Sequence, residues 1–384
     1  MATKVNDQIS LPTLNLIDVQ DDSSKPAIRD LKARDTLVAF MRGSHVTIPD
    51  LLEPIKHWHQ AVHPEVDRVD VEIRKTLDLI FTSPKDAKRL EKSKGTRLDL
   101  FAGSWWCDVR YEALVIAAYI TIWVFTWDDE TDSDEFSSLI EDFDKSSAFR
   151  RETLAYLEAS FNLDRQHELE KISTNPIITN FAPIGKALAR HGNQRQVDRF
   201  MNELRFFVMM TEEEQAFQMT SHMPTVEEYI QRRMGSSALR VGLSFTEYAH
   251  NIDLPEEVMQ SDAMTALWRE TNIIFSINND IISIKKEIEK SQVDSLIPLL
   301  TMQLGSVQAA IDEAASIVRL AVHRFEAAEK ELLDGSAPGL RDDLVKFITC
   351  CKHSCTGNIL WSLSTPRYKL ACGTSMEGGV RVVL

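Results

Sequence analysis

The sequence lacks an apolar run long enough to cross a membrane, and its first residues do not resemble a targeting signal. The longest apolar run, Ala113 to Trp127, is shorter than the roughly 20 residues of a membrane-spanning helix and is typical of a buried helix. The opening residues, MATKVNDQIS, have neither the charged-then-apolar order of a secretory signal nor the Arg-rich character of a transit peptide. We therefore expect a cytoplasmic protein with no membrane span.

Cysteine is scarce, and its pattern does not indicate a disulfide framework. The sequence contains five cysteines, and an odd number without a secretory signal favours free thiols. Three of them lie beside His353 in TCCKHSC at 349–355, where two cysteines are adjacent. This spacing does not match the paired ligands of a zinc site, and no second pair lies nearby. We predict free thiols and no zinc site in this segment.

Clustered positive charge, a central linker and internal repeats are also missing. The net charge is −15, and the 43 Lys and Arg residues are scattered, so a nucleic-acid partner is disfavoured. No Pro/Gly/Ser-rich linker divides the chain, and no repeat of about 20–50 residues is visible. With 43% hydrophobic residues the chain can bury a large core. We predict a loosely ordered N-terminal arm over 1–45 and a single helical domain over 46–384.

Strict alternation of apolar and polar residues is almost absent, whereas helical periodicity is widespread. The predicted fold class is therefore all-α, a single large helical bundle. Breaker residues such as HP at 63–64 and DGSAPG at 334–339 separate the periodic segments. The predicted helices lie at 65–82, 106–129, 135–160, 194–219, 225–234, 237–250, 262–290, 295–302, 304–333 and 339–364.

The apolar run ends in an acidic segment, TWDDETD at 126–132. On a helix, Asp128 and Asp132 share a face, and Asp129 lies about 100° away. Carboxylates repel one another, and the helix macrodipole disfavours negative charge at a C-terminus. This costly arrangement favours a function that supplies positive charge, such as binding of Mg²⁺. A solvated acidic loop is the alternative, because DSDEF at 132–136 continues the acidic character.

A second oxygen-rich segment, NNDIISIKKEIEK, occupies 278–290. Asn279, Ser283 and Glu287 are four residues apart and project from one helical face, and Lys286 lies within the same arc. An amide, a hydroxyl and a carboxylate in a row form another all-oxygen ligand set. A hydrophilic solvent face is the alternative, but the isoleucines in the same turns must be buried nearby. The pattern therefore favours a second metal-binding face.

The pattern Asn-Asp-x-x-Ser-x-x-Lys-Glu at 279–287, downstream of Asp-Asp-x-x-Asp at 128–132, resembles the two metal motifs of class I terpene synthases, especially fungal sesquiterpene cyclases. EYIQRRMGSS at 228–237 contains Arg233 close to the family's position for a diphosphate-sensing arginine. NILWSLSTPRYKL at 358–370 resembles the family's last helix. The resemblance covers about residues 60–370, with the four motifs in the family's order.

The resemblance implies a helical bundle around an apolar central cavity, with three Mg²⁺ ions at its mouth. The implied metal ligands are Asp128, Asp129, Asp132, Asn279, Ser283 and Glu287. The implied diphosphate-binding residues are Arg233, Lys286, Arg367 and Tyr368. The expected aromatic faces that stabilise a carbocation are Trp361, Phe101 and Trp127. Ser236 and Ser237 are expected to break a helix just after the sensing arginine.

The reaction implied by the resemblance is Mg²⁺-dependent ionisation and cyclisation of a linear prenyl diphosphate, with farnesyl diphosphate favoured over its twenty-carbon homologue. Prenyl diphosphate synthases resemble a pattern with two Asp-Asp-x-x-Asp sites, and this sequence contains one. A protonation-initiated cyclase would need Asp-x-Asp-Asp, which does not occur. A catalytically silent helical scaffold is the alternative outside enzymology. Family analogy also makes a homodimer an expectation.

Overall fold

A computed structural model of the protein describes residues 34–132, 135–220, 223–370 and 375–384, and of Asp132 the backbone alone. Its regular structure is almost entirely helical, which confirms the predicted all-α class. The helices are α1 Arg34–Met41, α2 Val66–Ile80, α3 Ala87–Gly95, α4 Leu98–Trp105, α5 Tyr111–Asp132, α6 Phe143–Ser160, α7 Leu169–Ile172, α8 Pro176–Thr179, α9 Ala182–His191, α10 Gln194–Gln218, α11 Val226–Ser236, α12 Leu239–Ser244, α13 Thr246–His250, α14 Glu256–Met259, α15 Asp262–Glu289, α16 Leu296–Leu304, α17 Val307–Asp334 and α18 Arg341–Ser364. The strands are β1 His45–Ile48 and β2 Val380–Val383.

Helices α5 and α15 form the centre of the bundle. Helix α5 is apolar around its circumference, which suits a helix enclosed by others. Helix α15 packs against α11, α16, α17 and α18, and α4 packs between α5 and α18. These packings surround one internal cavity with α4, α5, α15 and α18. None of the helices in the described ranges combines the length and the apolar character that a bilayer crossing demands.

The region predicted as one helix over 106–129 is divided differently in the structure. Helix α4 ends at Trp105, and α5 begins at Tyr111. Trp106 leaves helical geometry with a φ of −112° and a ψ of 52°, so 106–110 form a connecting loop. This boundary prediction was therefore wrong, because the apolar pattern continues through a break in the backbone.

A two-stranded sheet joins the two ends of the described chain. Strand β1 pairs antiparallel with β2, with His45 opposite Val383 and Ile48 opposite Val380. Gly379, with a φ of 83°, occupies the left-handed region directly before β2, where a side chain would be strained. The sequence did not predict this sheet, because each strand is only four residues long.

The expected N-terminal arm over 1–45 is only partly within the described residues. From Arg34 onward the chain forms α1, whose buried face includes Leu37 and Met41. These side chains join the same hydrophobic core as the rest of the bundle. Residues 34–41 therefore form a packed helix rather than a loosely ordered arm, and residues 1–33 lie outside the described part of the chain.

Candidate active site

The cavity between α4, α5, α15 and α18 has an aromatic wall and a charged mouth. The space between its lining atoms is about 790 Å³, including the part that is open to solvent. Its aromatic lining includes Phe101, Trp105, Trp106, Phe125, Phe207, Phe275 and Trp361. Its charged and polar lining includes Asp128, Arg233, Asn279, Arg367 and Tyr368. The predicted acidic, amide and arginine residues thus meet at one end of an apolar chamber.

Asp128 lies where the wall contributed by α5 meets the mouth. Thr121, Val124, Phe125 and Asp128 all line the cavity, which is the spacing of one helical face. Burial and the neighbouring charge of Asp129 raise the pKa of Asp128 to about 6. The arginines at the mouth lower it only in part. The negative charge at this end of α5 is therefore incompletely compensated.

Asp129 contacts an arginine from the far end of the chain. Nη2 of Arg367 donates a hydrogen bond to Oδ1 of Asp129 over 3.3 Å. Burial alone would lower the pKa of Arg367, but Asp129, Tyr368 and Asp128 raise it above its ordinary value. The side chain of Asp132, the third predicted carboxylate, lies outside the described residues.

The predicted face of α15 forms a hydrogen-bonded series. Asn279 accepts a hydrogen bond from Nη2 of Arg233 over 3.2 Å and donates one to the Tyr368 hydroxyl over 2.8 Å. One helical turn later, Ser283 donates to Oε1 of Glu287 over 2.5 Å. The amide, the hydroxyl and the carboxylate therefore follow one another along a single face, as the spacing predicted.

The two faces fit a hard divalent cation. Their candidate ligand atoms are all oxygens, namely those of Asp128, Asp129, Asn279, Ser283 and Glu287, which is the donor set that Mg²⁺ prefers. Burial and the charge of Asp129 both raise the pKa of Asp128, so a positive charge beside it would stabilise its ionised form. A cation held at the mouth would supply that charge.

Asp280, for which the sequence predicted no role, contacts both Tyr229 and Arg233. The Tyr229 hydroxyl donates to Oδ2 of Asp280 over 2.6 Å, and Nη2 of Arg233 lies 3.8 Å from Oδ1. Burial raises the pKa of Asp280 to about 7, and Arg233 acts in the opposite direction. Tyr229 lies one helical turn before Arg233 on α11, so both side chains reach Asp280 from the same face of that helix.

Glu214 of α10 was also missed. Its charge raises the pKa of both Asp128 and Arg233, so it lies close enough to both groups to act on them. Burial tends to lower the pKa of Arg233, but Tyr229 and the nearby carboxylates raise it above its ordinary value. The sequence offered no signal for Glu214, because it stands in an acidic run, EEE at 212–214, that is typical of a solvated helix face.

Two of the three predicted aromatic residues line the cavity. Phe101, Phe125 and Trp361 meet edge to face, with ring centroids 5.0 to 5.4 Å apart. The prediction for Trp127 was wrong, because its ring packs between Phe149 and Phe207 on the side of α5 that faces α6 and α10. Trp127 directly precedes Asp128, and a step of one residue turns a side chain about 100° around the helix.

The predicted helix break occurs just after Arg233. Helix α11 ends at Ser236, and Ala238 has a left-handed φ of 56° before α12 begins. The Ser237 hydroxyl accepts a hydrogen bond from Nδ2 of Asn272 over 3.0 Å. Both predicted serines line the cavity. The remaining predicted residue, Lys286, places its ammonium 5.7 Å from the centre of the Tyr368 ring.

Comparisons with known proteins agree with this architecture. Residues 119–324, more than half of the chain, match the family described as terpene synthase family 2, C-terminal metal binding. The chain is 29% identical to the sesquiterpene cyclase hepA of Aspergillus oryzae, with 91% of this chain and 96% of that protein covered. Terpene cyclase braA of Annulohypoxylon truncatum is 26% identical, with 85% and 86% covered. A solved hedycaryol synthase shares the fold, with a TM-score of 0.64, 19% identity and coverage of 79% of this chain and 95% of that chain. The chain therefore belongs to the terpene synthase family, and it resembles the class I sesquiterpene cyclases of fungi.

Proposed function

We propose that the protein ionises and cyclises farnesyl diphosphate to a cyclic sesquiterpene, a hydrocarbon or an alcohol, and releases diphosphate. It would thus act as a carbon–oxygen lyase on a phosphate ester. One observation carries the proposal: an aromatic-walled cavity opens at a mouth where Asp128, Asn279, Arg233 and Arg367 converge. An apolar chamber with a charged opening suits a substrate that has a hydrocarbon chain and a diphosphate head.

The proposed cofactor is magnesium, with three ions held between the two oxygen-rich faces. Their ligands would be Asp128, Asp129, Asp132, Asn279, Ser283 and Glu287. When bound, the ions neutralise charge on the diphosphate and make it a better leaving group. The protein's part is to hold the ligands in position. Ser283 and Ser295 both donate hydrogen bonds to Glu287, which fixes the orientation of that carboxylate.

Cationic side chains at the mouth would bind the diphosphate oxygens directly. Arg233 and Arg367 each present a planar guanidinium, which forms charge-assisted hydrogen bonds with phosphate oxygens. Lys286 and the Tyr368 hydroxyl would add further donors. A chain with a net charge of −15 thereby binds a polyanion through local positive charge rather than through its overall field.

The cavity would hold the hydrocarbon chain and the carbocation that forms when the carbon–oxygen bond breaks. The faces of Phe101, Phe125 and Trp361 stabilise a cation through their ring quadrupoles. The apolar wall also keeps bulk water away from a species that water would quench. The reaction would end when the cation loses a proton, which gives a hydrocarbon, or when it adds one water molecule that then loses a proton, which gives an alcohol.

Two alternative functions would require different residues at this site. A prenyl diphosphate synthase would use a second Asp-rich motif, whereas α15 presents Asn279, Ser283 and Glu287 at that face. A silent scaffold would have no use for Asp128 and Arg233 at the mouth of an apolar cavity, where burying charge is costly. The twenty-carbon homologue of the substrate is the nearest competitor within the same chemistry.

An assay with substrates of three lengths tests the proposal. Purified protein is incubated with ten-, fifteen- and twenty-carbon prenyl diphosphates, with Mg²⁺ or with chelator, and the organic extract is analysed by gas chromatography and mass spectrometry. The proposal predicts a cyclic fifteen-carbon product only with Mg²⁺. Elongated linear diphosphates, formed when the five-carbon co-substrate is added, would show instead that the protein is a prenyl diphosphate synthase. No product from any substrate would favour the silent scaffold.

A further inference from the structure

A cluster of three different ligand types lies outside the catalytic mouth, where the loop after α4 meets α18. Cys107 and Asp108 belong to this loop, and His353 lies on α18. Sγ of Cys107 is 3.2 Å from Nδ1 of His353, and one ligand atom from each of the three residues lies within 4.8 Å of the others. Cys107 and His353 are buried, while 46% of the Asp108 side chain is exposed. The cluster is thus open to solvent on one side.

Two further histidines surround the cluster. Nε2 of His250 lies 3.1 Å from Oδ1 of Asp108, and Nδ1 of the same ring lies 3.1 Å from the Thr246 carbonyl oxygen. An imidazole held by a backbone carbonyl while it orients a ligating group is typical of the outer shell of a metal site. The exposed ring of His59 lies 5.8 Å from that of His353. Four separate segments of the chain therefore converge on this point.

The structure also explains why the TCCKHSC segment does not have zinc-site spacing. Of its residues only His353 joins the cluster. Cys350 contacts the Thr246 hydroxyl over 3.4 Å, and Cys355 contacts the Thr271 carbonyl over 3.8 Å. Its three cysteines are buried free thiols. The partners of His353 come from a loop 246 positions away in sequence, a distance that no local motif could report.

The donor chemistry favours a zinc-class cation over the magnesium proposed for the mouth. Thiolate, imidazole and carboxylate are the three ligand types that Zn²⁺ uses, whereas Mg²⁺ takes oxygen ligands. Neighbouring ligands of a tetrahedral zinc ion are separated by about 3.5 Å, given zinc bond lengths of about 2.0–2.3 Å. The contact between Cys107 and His353 is close to this separation.

We propose that Cys107, Asp108 and His353 form a second divalent-cation site, of zinc type, with water as the fourth ligand on the exposed side. The ion would join the loop after α4 to α18. Trp105 directly precedes this loop and Trp361 lies on α18, so the ion would stabilise the positions of two aromatic residues of the cavity wall. A thiol–imidazole hydrogen bond without metal is the competing explanation.

Cobalt(II) added to the full-length protein, after treatment with chelator, is the probe that distinguishes the two explanations. Cobalt bound to a thiolate gives a sulfur-to-metal charge-transfer band in the near ultraviolet, and an all-oxygen site gives none. We expect this band in the wild type and its loss in Cys107→Ser and His353→Asn. It should persist in Cys351→Ser, a matched buried cysteine, and in Asp128→Asn at the mouth.

Asp108→Asn is the mildest change available in the cluster, because it keeps the size of a side chain that is 46% exposed and removes only the carboxylate charge. It should weaken cobalt affinity by more than about 10-fold, since even changes in the outer shell of a metal site cost that much. Circular dichroism checks that each variant keeps the helical content of the wild type. Absence of the band from the wild type, its survival in both Cys107→Ser and His353→Asn, or unchanged affinity in Asp108→Asn would overturn the proposal.

Discussion

Nη2 of Arg367 lies 3.3 Å from Oδ1 of Asp129, although 238 positions separate the two residues in sequence. The contact joins the turn after α18 to the acidic end of α5. Under the proposed function, both groups exchange this contact for the substrate head group and its metal ions. Arg367 therefore compensates the carboxylates before binding and the diphosphate afterwards.

Replacing Arg367 with Gln should lower kcat/KM for farnesyl diphosphate by about 10–100-fold. A hydrogen bond to a charged group is worth roughly 1.5–3 kcal/mol, and each 1.4 kcal/mol corresponds to a factor of ten. Steady-state kinetics at saturating Mg²⁺ measure the effect, with exposed Arg205→Gln as the control. A change of less than twofold in kcat/KM for Arg367→Gln would show that Arg367 does not bind the substrate.

Arg233→Lys should lower kcat more than it raises KM. Lysine keeps the charge but loses the planar fork that contacts Asn279 and approaches Asp280. We expect kcat to fall by about 10–100-fold, because an ammonium reaches fewer acceptors in fixed geometry. Arg205→Lys, at an exposed position paired with Glu158, is the matched control. Equal losses in the two variants would contradict a specific role for the guanidinium of Arg233.

The pKa of Asp280 predicts how stability depends on pH. Because burial raises this pKa from 3.8 to about 7, the folded state binds the proton more tightly than the unfolded state. The protonated Asp280 carboxyl group thus contributes to the free energy of unfolding. This contribution is complete below about pH 4 and is lost as the pH rises through 7. Relative to Asp280→Asn, the wild type should lose roughly 2–3 kcal/mol of unfolding free energy between pH 5 and pH 8.

Urea denaturation in the presence of chelator measures this difference. The control is Asp334→Asn, whose carboxylate is exposed and pairs with Lys330 on the surface. Its stability difference from the wild type should not vary with pH over the same range. A pH-independent difference for Asp280→Asn would mean that this carboxyl group keeps an ordinary pKa in the folded state.

Trp361→Phe should change the product distribution, whereas Trp127→Phe should leave it unchanged. Both indoles are almost fully buried, and each donates one hydrogen bond, from Trp361 to the Thr96 carbonyl and from Trp127 to the Thr153 hydroxyl. Only Trp361 lines the cavity. The two variants therefore lose similar packing and hydrogen bonding, and they differ in contact with the carbocation.

Gas chromatography of the products from each variant checks the prediction, with thermal unfolding measured in parallel. We expect a lower melting temperature in both variants and new or redistributed products in Trp361→Phe alone. A shift of equal size in the products of Trp127→Phe would show that the product pattern responds to general loosening of the core rather than to the cavity wall.

The sequence predicted those parts of the site that follow helical periodicity. Asn279, Ser283 and Glu287 could be placed on one face because their spacing alone determines their direction. Asp280 was missed because it is one position out of that series and faces α11, and helix packing is not visible in the local pattern. Trp127 was wrongly assigned for the same reason, since its neighbour Asp128 faces the cavity and it does not.

Contacts between distant segments were also invisible to the sequence. The pairing of Arg367 with Asp129 follows from the meeting of α5 with the turn after α18, which no spacing encodes.

The start of α6 at Phe143 rather than at 135 depends on a cap from Asp142, whose side chain accepts the Lys145 amide hydrogen. A helix boundary of this kind depends on a single hydrogen bond, whereas the periodicity of apolar residues indicates only which residues share a face of the helix.

The most direct test of the central claim is the rate of diphosphate release from farnesyl diphosphate as Mg²⁺ is titrated, in the wild type and in Asn279→Ala. We expect release that requires Mg²⁺ in the wild type. In Asn279→Ala we expect at least a 100-fold lower rate at the same Mg²⁺ concentration, because the amide ligand of the α15 face is gone. Asn202→Ala, an exposed asparagine on α10, should match the wild type. Metal-independent release, or equal rates in the wild type and Asn279→Ala, would contradict the assignment of this mouth as the site of ionisation.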